Sequence, residues 1–323
     1  MDKTVGTPET LVEAVRYFTD PDVCLNFLAD LRWPDGVTCP TCGSREVVFL
    51  ANQRRWKCRE DHERRQFSVK VGTIFEDSPL GLDKWLPAVW MIVNDKNGIS
   101  SYEVGRALGI TQKSAWFMMH RIRLAMQRGG FGKLRGEVEV DETFIGGKAR
   151  FMHPWKRAAK IKGTGPMDKS AVIGLLERHG PDGHSRVRVK VVPNTRKRTL
   201  GPEVRQHVEP GSALYTDALA SYDGLAEYQH EVIDHAEAYV RGNVHTNGLE
   251  NFWSLLKRAI KGTYVSVEPF HLFRYLDEEA FRFNTRKATD AKRFIEVLRT
   301  IVRRRVTYKS LIGDGPALAT TPA

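Results

Sequence analysis

The sequence predicts a mixed α/β chain, in which a large α/β domain follows a small metal-binding unit and a pair of packed helices. Over the second half of the chain, short β-branched runs alternate with long amphipathic segments, as is typical of such a domain. Three of the four cysteines lie within 20 residues of one another, which favours a metal site over disulfides. The 50 basic residues outnumber the 39 acidic ones, which indicates a polyanionic partner, nucleic acid ahead of anionic membrane.

Size and composition narrow the class of protein further. The 323 residues are enough for one large domain and one or two small ones, and 41% hydrophobic residues suffice to bury a core. No apolar stretch approaches the length of a membrane span, and the N-terminus carries no charged-then-apolar signal segment. We therefore expect a cytoplasmic, nucleoid-associated protein without a membrane partner. The alternative for any single basic run is a solvated surface.

The pattern divides the chain into five segments. Thr7 before Pro8 and Asp20 before Pro21 predict the starts of two N-terminal helices within residues 1–35. Cys24 falls on the apolar face of the second helix, so we expect it to be buried and not a ligand. The other segments are a zinc-binding unit at 36–70, a helix-turn-helix region at 71–130, the α/β domain at 131–308 and a disordered tail at 309–323.

The first cluster with recognisable chemistry is a set of three cysteines and a histidine. Cys39 and Cys42 form a C-x2-C turn, and Cys58 and His62 follow after fifteen residues with C-x3-H spacing. Four such ligands match a closed tetrahedral Zn²⁺ site, which supports folding and not catalysis. Asp61 or a residue outside the segment could replace His62, and the alternative to a site is two reduced surface cysteines beside an unrelated pair.

Residues 97–126 carry two helix starts with a break between them. Ser100 and Glu103 form a capping box, Gly109 ends the first helix, and Thr111 caps the second. A short glycine-containing turn before a basic second helix is the form of a DNA-reading helix-turn-helix, although any two packed helices could look alike. The polar side chains that we expect to face outward and contact DNA are Gln112, Lys113, Arg121 and Arg123.

Acidic residues stand on or beside two predicted strands. Glu137, Glu139 and Asp141 share one face of the run 137–145 with Thr143, and the simplest account of so many acids is a solvated edge strand. Asp217 ends a second apolar run, where it could be an ordinary cap.

A third acid, Glu250, lies at the border of the apolar face of a strongly amphipathic helix. Lys257 and Lys261 continue the same border stripe. A surface Glu–Lys network is one account, but seven residues span roughly 10 Å, too far for a direct pair. Two strand carboxylates and one helix carboxylate are also what a pair of Mg²⁺ ions needs for phosphodiester chemistry.

Six motifs in consistent order resemble one known family. They are WPDGVTCPTCGS, QFSVKVGTIFEDSPLGLDKW, GISSYEVGRALGITQKSAWFMMHRIR, VDETFIGGK, YTDALASY and HTNGLENFWSLLKRAIKGTY. This sequence is similar, from about Phe18 to Tyr308, to the zinc-ribbon-bearing DDE transposases of prokaryotic insertion sequences, the ISXO-like branch. One departure is that the second zinc pair of the family is commonly two cysteines.

The resemblance implies an RNase H-like catalytic domain whose acids sit on the first strand, after the fourth strand and on a later helix. Carried over by motif, Asp141, Asp217 and Glu250 are the Mg²⁺ (or Mn²⁺) ligands. Lys257 matches a basic residue expected to contact DNA near the reacting phosphate, and Lys261 is counted with it as DNA-binding. The residues expected to cap the helix or assist the site are His245, Thr246 and Asn247.

The expected function is that of a DNA transposase with structural Zn²⁺. It would bind the terminal inverted repeats of its element, cleave DNA and join it to a target, as a homodimer or larger assembly on paired ends. One rival is a non-catalytic DNA-binding regulator, and another is a structure-selective nuclease with no joining step. The role of the basic segment 148–169 stays open, as either a DNA-contacting loop or a solvated insertion.

Overall fold

The computed structural model describes residues 7–127, 132–147, 152–161, 168–217, 219–233 and 245–312. These residues group into two compact units, one made of 7–127 with 287–312 and the other of the described residues from 132 to 286. The expected boundary of the α/β domain at residue 308 is therefore too late. Residues 287–312 belong with the N-terminal unit because their apolar side chains pack there, as Phe294 does against Trp90.

The described helices and strands follow in chain order. They are α1 (Leu11–Tyr17), α2 (Pro21–Arg32), β1 (Val47–Leu50), β2 (Arg55–Cys58), β3 (Gln66–Phe67), α3 (Leu82–Asn94), α4 (Ser101–Leu108), α5 (Gln112–Met126), β4 (Glu137–Ile145), α6 (Pro154–Lys160), β5 (Ser170–Glu177), β6 (Arg186–Val192), α7 (Lys197–His207), β7 (Ala213–Asp217), β8 (Gln229–Ile233), α8 (Asn247–Arg258), α9 (Leu272–Asn284), α10 (Asp290–Arg299) and α11 (Tyr308–Leu311). None of these helices is both long and apolar enough to cross a bilayer.

The N-terminal unit begins with two capped helices. A capping box between Thr10 and Glu13 starts α1 at Leu11, so the helix begins three residues after the expected Pro8. Asp20 accepts a hydrogen bond from the Asp22 amide and starts α2 at Pro21, as the sequence indicates. Cys24 is fully buried.

A small antiparallel sheet and a group of helices complete this unit. Strands β1, β2 and β3 pair in that order. Helix α10 packs on α3, and the backbone N–H of Ile74 donates to the carbonyl of Ile301. Part of the expected disordered tail is ordered, since Thr307 caps α11 and Leu311 on that helix is buried. Residues 313–323 lie outside the described part of the chain.

The second unit is built on a five-stranded mixed sheet of order β6-β5-β4-β7-β8. Strand β5 runs antiparallel to both of its neighbours, whereas β4, β7 and β8 run parallel. One core joins a face of the sheet to α7, and a second core joins the other face to α8 and α9. The sheet therefore has helices on both faces, as expected for a mixed α/β domain.

Strand β4 is the central strand and not a solvated edge. Val138 and Val140 point into the core on the α7 side, so Glu139 and Asp141 point to the α8 side. Glu139 is 1% exposed, so the alternative of a solvated edge strand does not apply to this carboxylate. The acids of β4 must instead be neutralised by partners inside the unit.

Of the segment 148–169, residues 148–151 and 162–167 lie outside the described residues. The described part contains α6, which begins after His153 with Pro154 at its first position. Trp155 on this helix is exposed.

Candidate active site and metal centre

Four side chains converge on one point beside the small N-terminal sheet, one from strand β2 and three from loops. The ligand atoms of Cys39, Cys42, Cys58 and His62 all lie within 4.8 Å of one another. Cys39 Sγ is 3.5 Å from His62 Nε2, and Cys42 Sγ is 3.6 Å from Cys58 Sγ. Three thiols and one imidazole at such distances fit tetrahedral Zn²⁺, with no position left for a substrate.

The geometry favours His62 over Asp61 as the fourth ligand. The Asp61 side chain is fully exposed and faces Arg65 at 3.7 Å. His62 turns its Nε2 to Cys39, while its Nδ1 lies 2.7 Å from the carbonyl of Glu63. A hydrogen bond from Nδ1–H to that carbonyl would leave Nε2 as the metal-binding nitrogen.

Two of the three expected catalytic acids stand side by side in the sheet. Strands β4 and β7 are parallel neighbours, and Val140 pairs with Thr216. The next residues along the two strands are Asp141 and Asp217, so their side chains leave adjacent strands at the same level. The backbone N–H of Leu219 donates to Asp217 Oδ1 at 3.1 Å, which ties the carboxylate to the turn after β7.

Asp141 is held by two further hydrogen bonds. Trp253 Nε1 donates to its Oδ2 and the Glu142 amide to its Oδ1, each at 2.8 Å. Burial raises the pKa of Asp141 to about 6; the two hydrogen bonds oppose the rise, and the negative charges of Asp217 and Glu250 add to it. Asp217 and Glu250 are therefore close enough to act on Asp141 electrostatically.

Glu250 is an exposed residue in the first turn of α8. The apolar face of this helix buries Leu249, Phe252, Trp253 and Leu256, as its periodicity predicts. Asp141, Asp217 and Glu250 thus lie in one neighbourhood. Within the described ranges, the ligand atoms of the Cys/His cluster lie close enough together to share one ion. The carboxylates of Asp141, Asp217 and Glu250 are spaced more widely than these ligand atoms.

Glu142 is a fourth carboxylate in this neighbourhood, and the sequence pattern did not single it out. Burial raises its pKa to about 7, the Tyr222 hydroxyl lowers it, and the charges of Asp217 and Asp141 raise it further. Tyr222 donates to Glu142 Oε2 at 2.7 Å from a short 3₁₀ helix, Ala220–Tyr222, that follows β7. The available signal in the sequence was its position next to Asp141. Because side chains alternate between the two faces of a strand, however, Glu142 is expected on the face of β4 opposite to Asp141.

Comparison with known proteins finds matches to the second unit and to part of the N-terminal unit. Residues 133–284 match the model of the ISXO2-like transposase domain, and residues 19–62 match the transposase zinc-ribbon domain. A transposase-like protein of Haemophilus influenzae is 35% identical over 115 residues, which cover 90% of that relative and 35% of this chain. The chain belongs to the ISXO2-like transposase family.

A second relative of this transposase extends over almost the whole chain. It is described as a protein in the transposable element ISH50 of Halobacterium salinarum, and it is 28% identical over 301 residues. The similarity covers 89% of the transposase and 98% of the relative. The zinc-ribbon match ends at His62, so it contains all four residues of the Cys/His cluster, and together they support structural zinc.

The other residues that the sequence assigns to the site lie at the two ends of α8 or just beyond them. Lys257 is half-buried in the last turn, and Lys261 is exposed in the π-helix Ala259–Tyr264 that continues α8. At the other end, Thr246 is the N-cap but its side chain makes no capping hydrogen bond, and Asn247 is exposed. His245 instead faces Arg178, whose guanidinium lies 2.8 Å from its Nδ1.

Helices α4 and α5 begin and end where the sequence indicates, but two of the four side chains expected to face outward do not. Ser100 and Glu103 form the capping box, Gly109 adopts φ +64° between the helices, and Thr111 caps α5. Lys113 is exposed, and Gln112 is half-buried with its amide donating to Ser101.

Arg121 and Arg123, in contrast, are only 3% and 1% exposed, so neither faces outward. The Arg121 guanidinium packs over the rings of Trp85 and Phe117 and donates to the carbonyl of Glu76. A long aliphatic stem and aromatic neighbours let an arginine occupy a helix face that charge alone would assign to solvent.

Proposed function

We propose that this protein is a DNA transposase that binds the terminal inverted repeats of an insertion sequence and catalyses DNA cleavage and strand transfer. The observation that carries the proposal is that Asp141, Asp217 and Glu250, from two adjacent parallel strands and one helix, lie close enough to interact electrostatically. Membership of the ISXO2-like transposase family supports the same function.

An RNase H-like fold for the catalytic unit is supported by the order and direction of its strands. The first three strands along the chain form an antiparallel meander, and the next two add in parallel on the other side of the first. Asp141 lies on the first strand, Asp217 ends the fourth, and Glu250 lies on a later helix, which is the arrangement that the family resemblance implies.

The three acids fit divalent cations by their chemistry. Carboxylate oxygens are the hard ligands that Mg²⁺ and Mn²⁺ prefer. The negative charges of Asp217 and Glu250 help to raise the pKa of Asp141, so a bound cation would reduce the repulsion among these three carboxylates. When bound, Mg²⁺ would supply activation of the attacking oxygen and stabilise charge on the leaving oxygen.

The protein's own groups would hold and orient the reacting atoms. The hydrogen bonds from Trp253 and the Glu142 amide keep Asp141 fixed, and Lys257 would contact a phosphate near the scissile bond. Water would attack the phosphodiester at the element end, and the freed 3′ hydroxyl would then attack target DNA. Both steps are in-line displacements that use no covalent protein intermediate.

The N-terminal unit would recognise the element ends. A structural Zn²⁺ held by the Cys/His cluster would stabilise the small sheet. We place α4 and α5 as a helix-turn-helix in which Lys113 and Gln112, at the exposed start of the second helix, approach the DNA. Synapsis of two ends would further require a homodimer or a larger assembly.

The deciding experiment combines labelled element-end DNA with a target plasmid and purified protein in Mg²⁺ or Ca²⁺. Wild-type protein should produce nicked ends and joined products in Mg²⁺. Asp141→Asn should abolish both while leaving end binding nearly unchanged. Asp182→Asn, which neutralises an exposed acid in a turn of the same unit, is the matched control and should retain activity.

Each alternative outcome identifies a rival function. Normal end binding without nicks or joined products in Mg²⁺ would make the protein a non-catalytic DNA-binding regulator. Nicked ends without joined products would make it a nuclease. Equal loss of binding and cleavage in Asp141→Asn would mean that the residue is structural.

A further inference from the structure

We propose that Glu139 is a positioning residue that fixes the start of helix α8, and with it Glu250, against the central strand of the sheet. The inference rests on the proposed metal-binding role of Glu250. It concerns a residue that lies on the same strand face as Asp141 and two positions before it.

Helix α8 obtains its cap from a distant strand. The first amide groups of a helix have no partner within the helix, and a side chain at the N-cap usually accepts from one of them. Thr246 occupies the N-cap without making such a bond. The Leu249 amide donates instead to Glu139 Oε2 at 2.9 Å, across 110 positions of the chain. A carboxylate at this place also complements the positive end of the helix dipole.

Arg178 holds the capping carboxylate in place. Its Nε donates to Glu139 Oε1 at 2.8 Å, and the same guanidinium donates to the carbonyl of His245 at 2.6 Å. Glu139 and His245, the residue before the N-cap of α8, are therefore bridged by one planar group, which sits 4.5 Å from the centre of the Tyr215 ring. Glu139 is 1% exposed and the Arg178 side chain 10%, so water screens this pair little.

A second hydrogen bond joins the same strand face to the same helix face. Glu139 and Asp141 are two residues apart on β4, and their partners Leu249 and Trp253 are four residues apart on α8. Residues two apart on a strand lie on the same face of it, and residues four apart on a helix lie on the same side of it. Glu250 follows Leu249 directly and lies between the two tie points, so its backbone cannot shift without breaking one of them.

Two glycines allow this close approach. A β-carbon at Gly248 would stand 2.8 Å from Glu139 Oε2, and one at Gly174 would stand 2.6 Å from the Trp253 ring. Contacts this short do not occur between real side chains. Helix α8 and the sheet therefore approach each other at two glycines. This close approach lets the backbone of α8 reach the Glu139 carboxylate.

The other explanation is that Glu139 and Arg178 are only a buried ion pair that stabilises the unit. The protein contains a matched control for that explanation. Glu177 is also 1% exposed, and it accepts from Arg186 and from the backbone N–H of Arg135 at 3.0 Å. Removing either glutamate takes the nearest carboxylate from a partly buried arginine, and Arg178 would keep Glu137 at 3.8 Å. Only Glu139, however, caps α8, whereas Glu177 accepts from strand and loop residues.

The test measures Mn²⁺ binding by titration calorimetry on the full-length protein without DNA. Glu139→Ala should weaken the affinity at least about tenfold, as loss of a group that orients a ligand does, while Glu177→Ala should change it less than about twofold. In a Glu250→Gln background, Glu139→Ala should cause little further loss, because its effect passes through Glu250. Glu139→Gln keeps one oxygen acceptor and should show a smaller loss, and it carries the test if the alanine variant does not fold.

Hydrogen exchange of peptides from α8 provides a readout that needs no metal. Exchange at the start of α8 should rise in Glu139→Ala and not in Glu177→Ala. The inference is overturned if Glu139→Ala and Glu177→Ala weaken Mn²⁺ binding equally, or if Glu139→Ala binds Mn²⁺ like wild type although Glu250→Gln does not. If Glu250→Gln itself binds Mn²⁺ like wild type, it is the proposed metal role of Glu250 that fails, and the inference falls with it.

Discussion

Trp253 donates a hydrogen bond from its indole Nε1 to Oδ2 of Asp141 at 2.8 Å, which links helix α8 to the acid on the central strand. This bond lowers the pKa of Asp141 against the larger opposing effect of burial. Trp253→Phe removes the donor, so the pKa of Asp141 should rise further above about 6 and protons should compete better with the metal. We expect DNA cleavage to fall by roughly tenfold near neutral pH.

The measurement is the cleavage rate as a function of pH. The acidic limb of the profile should move to higher pH in Trp253→Phe. Trp155→Phe, which alters an exposed tryptophan of the same unit, should leave the profile unchanged. An unshifted acidic limb in Trp253→Phe would contradict the role given to this hydrogen bond.

Without Mg²⁺ or Mn²⁺ at the three acids, Glu142 should make the protein less stable as the pH rises. Its folded pKa of about 7 lies above its ordinary value of 4.5, so the folded state holds a proton that the unfolded state releases. The resulting stabilisation is complete below about pH 4.5 and disappears as the pH rises through about 7. Glu142→Gln should therefore be more stable than wild type at pH 8 by about 1–2 kcal/mol, with a smaller difference at pH 5.

Thermal unfolding at several pH values, without added Mg²⁺ or Mn²⁺ and without a chelator that would remove the structural zinc, tests this prediction. Asp182→Asn is again the control, because its carboxylate is exposed. A stability difference between Glu142→Gln and wild type that does not grow with pH would show that Glu142 is ionised in the folded protein throughout.

The zinc site predicts a difference between two neighbouring residues. Cys39→Ser and His62→Ala should each release the metal, since each removes one of four converging ligands. Asp61→Ala should retain it, because that side chain is exposed and faces Arg65. Metal analysis of the purified proteins gives the answer, and binding of element-end DNA should weaken in the two variants that lose zinc. Zinc retained by His62→Ala would return the fourth ligand to the alternatives left open by the sequence.

The two ends of helix α5 should respond differently to mutation. Lys113 is exposed, so Lys113→Gln should weaken end binding and reduce the salt dependence of binding by about one unit of slope, without lowering thermal stability. Arg121 is buried against aromatic rings, so Arg121→Gln should lower the free energy of unfolding by about 2 kcal/mol. A folded, fully stable Arg121→Gln with weak DNA binding would restore Arg121 as a DNA contact.

Gly174 should tolerate no side chain. Gly174→Ala would place a β-carbon 2.6 Å from the Trp253 ring, and α8 would have to move away from the sheet. We expect a loss of about 2–3 kcal/mol in the free energy of unfolding together with weaker Mn²⁺ binding. Gly147→Ala is the control, because its β-carbon would meet open space. An unchanged melting temperature in Gly174→Ala would show that α8 packs less closely than described.

Local chemistry was readable from the sequence. The capping box at Ser100, the break at Gly109 and the cap at Thr111 lie where expected, because each depends on neighbours within four residues. The apolar face of α8 was predictable for the same reason. The Cys/His cluster was recognisable because metal-ligand spacing is local on each side of the site.

Interactions between distant segments were not readable in this way. From the sequence alone, Glu139 is one of several acids that could lie on the surface. Its burial becomes predictable only when β4 is known to be the central strand and Arg178 is known to face Glu139. Charge predicts that Arg121 and Arg123 face outward, whereas Trp85 of helix α3, together with Phe117 of α5 itself, covers the Arg121 guanidinium. The partner of Glu142 comes from a loop 80 residues later.

Residues 287–312 are part of the N-terminal unit, so a shortened polypeptide that lacks them would have an incomplete N-terminal unit. A polypeptide that stopped near residue 128 would keep the zinc cluster and helices α4 and α5, but it would lose Phe294 from its place beside Trp90 and the hydrogen bond between Ile74 and Ile301. Premature termination would thus expose apolar side chains and not release a working repressor. Point mutation of an acid in a full-length chain would keep these contacts, so it is a route by which a regulator that competes for the element ends could arise.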